Sequence, residues 1–275
     1  MTDKMKLIDV KEVLHQKAPK MAQKIPRFVV NYLIRLIHQD EINDLVIRYH
    51  HLDGVAFMQA LVKEFDLTLE VHGEECLPTD GERYIFAANH PLGGLDGICL
   101  AALLGERYDS KISYLVNDLL MFIPNLQSIF VPINKHGTQG KHAAQKIEEA
   151  FASDRQILTF PAGLCSRKKN GIIRDLEWKK SFIQKAVEYQ RDIVPVYFEG
   201  QNSNFFYRLA NFRKQLCIKM NIEMLYLPDE MFKKKHSMFR VHVGHPISWQ
   251  TFDSSKKPAE WAEWVKQKAY SLSDK

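Results

Sequence analysis

Tyr84-Ile85-Phe86-Ala87-Ala88-Asn89-His90-Pro91-Leu92-Gly93-Gly94-Leu95-Asp96-Gly97-Ile98-Cys99-Leu100-Ala101-Ala102-Leu103-Leu104-Gly105 is the stretch whose reading decides the fold. Tyr84 to Ala87 is an unbroken apolar run of strand length, and Ile98 to Leu104 is rich in helix formers with a stop signal at Gly105. The residues between them carry a proline, two glycines, a histidine and an aspartate, so the unit reads strand, turn, helix. In open α/β sheets ligands bind at the carboxyl ends of strands, which is where His90 and Asp96 fall. Gly93-Gly94 accommodates positive φ and lets the chain fold back, bringing Asp96 toward His90. A carboxylate that fixes the tautomer of an imidazole turns it into a general base. The turn contains no serine or cysteine, so the proton to be removed belongs to a hydroxyl or amine of the substrate. From the residues alone, a strand-to-helix turn holding a half-buried histidine is the commoner reading of such a spacing, since turns are rich in Asp, Gly and Pro.

Outward from this unit the chain alternates in the same way. Lys111 to Val116, Ser128 to Ile133, Gln156 to Phe160, Ile193 to Phe198 and Arg240 to Val243 read as strands; Thr138 to Phe151, Glu177 to Gln190 and Trp261 to Tyr270 read as helices. The alternation predicts an α/β fold with a mixed, largely parallel sheet flanked by helices. Upstream, residues 1 to about 25 are lysine-rich and weakly helical. Arg27 to His38 forms a wide apolar face with a narrow stripe of Arg27, Asn31, Arg35 and His38, suited to a membrane interface or to a groove of its own protein. Residues 41–66 read as further helices, and Leu67 to Val71 as a strand. The expected organisation is an N-terminal helical, membrane-interfacial region over 1–75 and a catalytic domain over 76–275.

Composition narrows the function classes. The hydrophobic fraction of 45% and charged fraction of 26% are those of a globular protein rather than a disordered one. A net charge of +5 suits an anionic membrane surface, an acidic carrier protein or a phosphate-bearing molecule, and without a basic stripe or recognisable module it does not indicate nucleic acid. Cys76, Cys99, Cys165 and Cys217 are too scattered for a zinc site or disulfide framework, which points to a reducing compartment. The adjacent His50 and His51 point in different directions on a helix and have no carboxylate at metal-motif spacing, so no metal is expected. No secretory segment is evident, and no run reaches the roughly 18 to 20 apolar residues needed to span a bilayer; an activity on lipids would be exercised at the membrane surface.

Four stretches in order complete the reading. Asn89-His90 followed by Asp96 resembles the first motif of the lysophospholipid acyltransferase superfamily. Ser128-Ile129-Phe130-Val131-Pro132-Ile133 resembles the second, Phe160-Pro161-Ala162-Gly163-Leu164-Cys165-Ser166-Arg167 the third, and Ile193-Val194-Pro195-Val196 the fourth. His-Pro-Leu-Gly-Gly-Leu-Asp-Gly is most similar to a hemolysin-like bacterial branch that includes O-acyltransferases of amino-acid lipids. The pattern departs from the family at three places. Five residues, Pro91 to Leu95, separate His and Asp instead of the usual four; Ala162 and Cys165 stand where the third motif has glutamate and arginine; and the second motif lacks its arginine, with Lys135 just beyond.

The resemblance implies a glycerolipid acyltransferase-like fold and transfer of a fatty acyl group from an acyl carrier protein or coenzyme A thioester to a hydroxyl of a lyso-type membrane lipid. His90 would be the base and Asp96 its orienting acid, with backbone amides around Gly93 to Asp96 or in the third motif receiving the oxyanion. Asn89, Gly93, Gly94, Lys135, Gly163, Ser166, Arg167 and Lys168 become candidate substrate contacts, and the basic loop Arg167 to Gly171 with Arg174 a candidate for carrier phosphates or acidic carrier helices. Loss of the polar pair of the third motif favours an acceptor without phosphate, such as lyso-glycine or lyso-ornithine lipid. No metal or tightly bound cofactor is implied, and the expected location is cytoplasmic, peripheral on the inner face of the cell membrane. Lysophosphatidic acid as acceptor, and a non-catalytic lipid-binding protein of the same fold, are the alternatives. Asn204 to Leu209, with Phe212-Arg213-Lys214, interleaves aromatics with cations and reads as an acyl-chain wall, a membrane-facing edge or core packing. His245, in a turn before proline, carries little catalytic weight.

Overall fold

A computed structural model describes residues 7–17, 19, 24–116, 123–133 and 139–274. Helices α1 (Val10–Lys17), α2 (Arg27–Leu36), α3 (Gln39–Arg48) and α4 (Gly54–Glu64) precede strand β1 (Thr68–His72). The decisive unit follows as β2 (Tyr84–Ala88) and α5 (Leu95–Arg107), and then come β3 (Ile112–Val116), β4 (Phe130–Pro132), α6 (Gln139–Ala152) and β5 (Gln156–Thr159). A hairpin of β6 (Arg167–Lys169) and β7 (Ile172–Arg174) leads to α7 (Ser181–Tyr189) and β8 (Asp192–Phe198). The chain closes with α8 (Asn204–Gln215), α9 (Leu227–Phe232), β9 (Met238–Val243) and α10 (Pro258–Tyr270).

The main sheet has seven strands in the order β1-β9-β8-β2-β5-β3-β4. Every neighbouring pair is parallel except β8 and β9, so β9 and β1 run against the other five. This is the mixed, largely parallel sheet the alternation predicts. All five residues of β2 are buried, as a central strand covered on both faces requires, and it pairs with β8 on one side and β5 on the other.

Three details differ from the sequence reading. The helix α5 does not stop at Gly105 but continues to Arg107. A Cβ built on Gly105 would lie 2.3 Å from Val55 Cγ1, so this glycine marks the close packing of α5 on α4 and not a cap. The helix expected from Arg27 to His38 ends at Leu36, because His38 adopts φ 55° and turns inward to stack on Phe232 at 4.3 Å. Finally, β1 pairs with β9 in register Thr68 to Met238 through His72 to His242, and one apolar cluster runs from Leu45 and Phe57 through Phe86 to Val243. Packing is therefore continuous across the boundary expected at residues 75 and 76.

Candidate active site

His90 lies just past the buried end of β2, and Asp96 sits on the first turn of α5. The turn between them brings His90 Nδ1 within 3.1 Å of Asp96 Oδ2. Gly93 adopts φ +79°, which reverses the chain, and the Leu92 and Gly93 amides then donate to the same Asp96 oxygen at 2.9 and 3.3 Å. Asp96 Oδ1 accepts from the Gly97 amide at 2.9 Å. The extra residue is thus absorbed by a turn that closes on the aspartate it delivers. Asn202 Nδ2 donates to Pro91 O at 3.3 Å and holds the turn from the far side.

With Nδ1 facing a carboxylate, the proton belongs on Nδ1, which leaves the Nε2 lone pair able to accept a proton. The imidazole is held against the Phe160 ring at 4.3 Å, and 13% of its side chain is exposed. Burial pulls the His90 pKa down, but the Asp96 charge, the hydrogen bond to it and the Asp175 charge outweigh burial and raise the value above 6.5. Burial pushes Asp96 up, yet the His90 charge and hydrogen bond and the Leu92 and Gly97 amides leave it below 3.8, an ionised partner.

The backbone of His90 is fixed as firmly as its ring. Its N–H donates to Asp175 Oδ1 at 3.2 Å and its carbonyl accepts from the Ser166 amide at 2.7 Å. Asp175 also accepts from Ser166 Oγ at 2.6 Å and Trp178 Nε1 at 2.9 Å, while its own N–H donates to Tyr270 Oη at 2.8 Å. Lys266 Nζ caps the segment through the carbonyls of Asp175 and Leu176. Burial raises the Asp175 pKa against these donors. Asp175 was not legible in the sequence: it is 85 residues from His90, at the end of a hairpin that reads as a surface loop.

Several candidates are placed otherwise than expected. Asn89 is buried and acts as a rung between strands, its Nδ2 donating to Phe198 O at 3.0 Å and its Oδ1 accepting from Phe198 N at 2.6 Å. It holds β2 to β8 and leaves no polar atom for substrate. Ser166 is buried with its hydroxyl on Asp175. Arg167, expected in a solvated basic loop, is the inward residue of β6. Its NH1 donates to Cys165 O at 2.7 Å and its NH2 to Glu223 Oε1 at 2.9 Å, and Glu223 also accepts from Arg213 Nε at 2.5 Å. A buried Arg–Glu–Arg triad replaces the phosphate contact: along β6 Arg167 is buried, Lys168 half-buried and Lys169 exposed.

The loop itself is a two-residue hairpin with Asn170 and Gly171 at positive φ. Lys168 remains at its edge, with Nζ 3.2 Å from Asn204 Oδ1. Gly93 contributes a conformation and not an oxyanion donor, since its amide is engaged by Asp96; Gly94 faces open space. Gly163, at φ +68°, shapes the third-motif loop, and Lys135 lies outside the described residues.

One cation that the sequence did not single out reaches this loop. The Lys179 N–H donates to Pro161 O at 3.0 Å, and its Nζ would lie 2.7 Å from a Cβ on Gly163. It carries no ion pair among the described residues, which also hold no cluster of His, Cys, Asp and Glu able to bind a metal. His245 stands apart, near Cys76 at 3.7 Å.

The whole chain resembles known acyltransferases. A family model described as acyltransferase matches residues 12–275. The chain is similar to a lyso-glycine lipid O-acyltransferase of Bacteroides thetaiotaomicron, 54% identical over 270 residues covering 98% of this chain and 99% of that protein. It is also similar to a lyso-glycine lipid O-acyltransferase of Phocaeicola vulgatus, 49% identical over 270 residues covering 98% of this chain and 96% of the other. Among solved structures it matches the 1-acyl-sn-glycerophosphate (LPA) acyltransferase PlsC of Thermotoga maritima at 15% identity and a TM-score of 0.47, covering 90% of this chain and 94% of that one.

Proposed function

Because the chain belongs to the acyltransferase family, we propose that it moves a fatty acyl group from an acyl carrier protein or coenzyme A thioester to the free hydroxyl of a lyso-glycine lipid at the inner face of the cell membrane. The observation that carries the chemistry is the His90–Asp96 pair, with one ring nitrogen on a buried carboxylate and the other left basic. His90 Nε2 takes the hydroxyl proton as the oxygen attacks the thioester carbonyl. The C–O bond forms, negative charge collects on the carbonyl oxygen, and collapse breaks the C–S bond. The departing thiolate takes the proton from the imidazolium, leaving ester, free thiol and neutral His90. Asp96 stabilises the transient imidazolium. With the Leu92 and Gly93 amides engaged, the oxyanion falls to the first turn of α5 or to the third-motif loop beside Phe160.

The character of the third-motif side chains supports the head group. Ala162 and Cys165 are buried and uncharged, and Arg167 is buried and turned to Glu223, which it shares with Arg213. Among the described residues, Lys179 extends an unpaired ammonium along the third-motif loop. One cation matches the single carboxylate of an amino-acid lipid better than a phosphomonoester. The relatives named lyso-glycine lipid O-acyltransferases support the same acceptor.

The test is release of free thiol from acyl carrier protein or coenzyme A thioesters by the purified protein, offered lyso-glycine lipid or lysophosphatidic acid. Release should depend on lyso-glycine lipid and fall by ~10²- to 10⁴-fold or more in His90→Ala. Preference for lysophosphatidic acid would overturn the head-group reading, and an active His90→Ala would overturn the base.

A further inference from the structure

We infer that the surface formed by α8 and the segment following it, residues 204–226, docks on the head-group region of an anionic bilayer and sets the dyad at the lipid boundary. Phe205, Arg208 and Phe212 recur at helical spacing on the outer face of α8, and the segment beyond adds Leu216 and Met220. Phe212 is 56% exposed and Met220 61%, large apolar side chains left in water. The patch continues onto α2. Tyr226 packs its ring on Phe205 at 5.0 Å and its hydroxyl lies 2.8 Å from that of Tyr32, one turn from Phe28, which is 74% exposed.

Charge identifies the occupant. Residues 204–222 and 24–38 contain no Asp or Glu, in a chain where 33 of 275 residues are acidic. The exposed charges in these two segments are Lys24, Arg27, Arg35, Arg208, Lys214 and Lys219, all cationic. Protruding aromatics ringed only by cations suit a bilayer interface, where rings settle among head groups and cations meet anionic lipid. A second copy of this chain would set the same cations against one another.

The surface also adjoins the site. A Cβ on Gly93, in the dyad turn, would meet Leu227 Cδ1 at 2.8 Å, directly after Tyr226. The Arg167–Glu223–Arg213 triad ties the same segment to β6 beside Ser166, whose amide holds His90. A lyso-lipid could then offer its hydroxyl while its acyl chain stays in the leaflet. The purpose of the surface rests on the lipid-acceptor reading, but its test does not.

Cys217 is the one exposed cysteine among the described residues, and Cys76, Cys99 and Cys165 are buried. An environment-sensitive fluorophore on Cys217 of the full chain, mixed with phosphatidylglycerol/phosphatidylethanolamine vesicles, should shift toward an apolar emission. Sedimentation of the unlabelled protein should show binding that weakens with salt and on pure phosphatidylcholine. Phe212→Asp with Met220→Asp should lower vesicle partitioning at least ~10-fold per site, and Arg208→Glu with Lys219→Glu should do so on anionic vesicles only. Met238→Asp, equally exposed on β9, should have no effect. Folding of each variant is checked by circular dichroism. A water-like probe on vesicle-bound protein, unchanged partitioning of Phe212→Asp/Met220→Asp, no vesicle binding, or dimerisation through this face without lipid would each overturn the inference. Activity on detergent-dispersed acceptor is read separately: its loss in the parent protein counts against the acyl-transfer reading and leaves the docking result standing.

Discussion

Asp96→Asn isolates the charge of the dyad from its geometry. The Oδ2 position of Asp96 faces three donors, His90 Nδ1 and the Leu92 and Gly93 amides, whereas Oδ1 faces only the Gly97 amide. An asparagine carbonyl therefore takes the first position, and its NH₂ is set against the Gly97 N–H. The cost is one lost hydrogen bond and a buried unpaired donor, about 1–3 kcal/mol of stability. The imidazole keeps its orientation and tautomer, so what disappears is the charge that stabilises the imidazolium.

Turnover should fall by ~10²- to 10³-fold. Neutral His90 is the active form, so kcat/KM climbs with pH through the histidine pKa, which lies above 6.5 in the parent because the Asp96 charge outweighs burial. Removing that charge leaves burial to dominate, and the acid limb must move to lower pH even as the plateau drops. Thiol release followed from about pH 5 to about pH 9 reads both effects, since kcat/KM reports the free enzyme. A plateau within ~3-fold of the parent, or a limb displaced to higher pH, would refute a charged dyad as the catalytic unit.

Three further outcomes follow from specific contacts. Glu223→Gln leaves two buried guanidinium groups facing a neutral amide and should lower the unfolding free energy by about 3–5 kcal/mol; a denaturant midpoint unchanged from the parent would contradict the triad. Gly97→Ala places a Cβ 2.0 Å from Tyr114 Oη and should cost about 1–3 kcal/mol and reduce activity by shifting the start of α5. Addition of Tyr114→Phe should restore part of both, and no restoration would locate the strain elsewhere. Lys179→Gln should raise KM for lyso-glycine lipid by ~5- to 50-fold at nearly constant kcat, while an equal loss in kcat would assign Lys179 to the transition state.

What the sequence made legible was local. His90 and Asp96 belong to one short stretch whose glycines determine how it folds back, and the central strands are contiguous apolar runs that can only be buried. What it hid depended on distant partners. The run Arg167-Lys168-Lys169 reads as uniformly basic, and only the pairing of β6 with β7 and the approach of Glu223 decide that the first of the three is internal. Asn89 looks like a polar residue of the site, yet the alignment of β2 with β8 makes it a substitute for a backbone pair. Thr68 finds its partner at Met238, so a strand that reads as the end of a helical region enters the main sheet. Asp175 and Lys179 act through the hairpin and the third-motif loop, neither of which a one-dimensional pattern brings together.

Two departures from the family pattern have one cause in the packing. The longer turn bulges at Gly93, where an added Cβ would stand 3.0 Å from Cys165 Cβ and 2.8 Å from Leu227 Cδ1. The space an arginine at position 165 would need is thus already held by the turn, and its carbonyl and sulfur are covered by Arg167 NH1 at 2.7 and 3.0 Å. The five-residue turn between His90 and Asp96 and the small, uncharged residue at 165 are thus packed against one another. The wall that results carries no free cation, and burial pushes the Cys165 thiol up to about 11, so it stays neutral as well. Among the described residues, Lys179 brings a positive charge to the third-motif loop at Gly163. The same packing that completes the dyad thus sets uncharged side chains at 162 and 165, in keeping with the proposed acceptor.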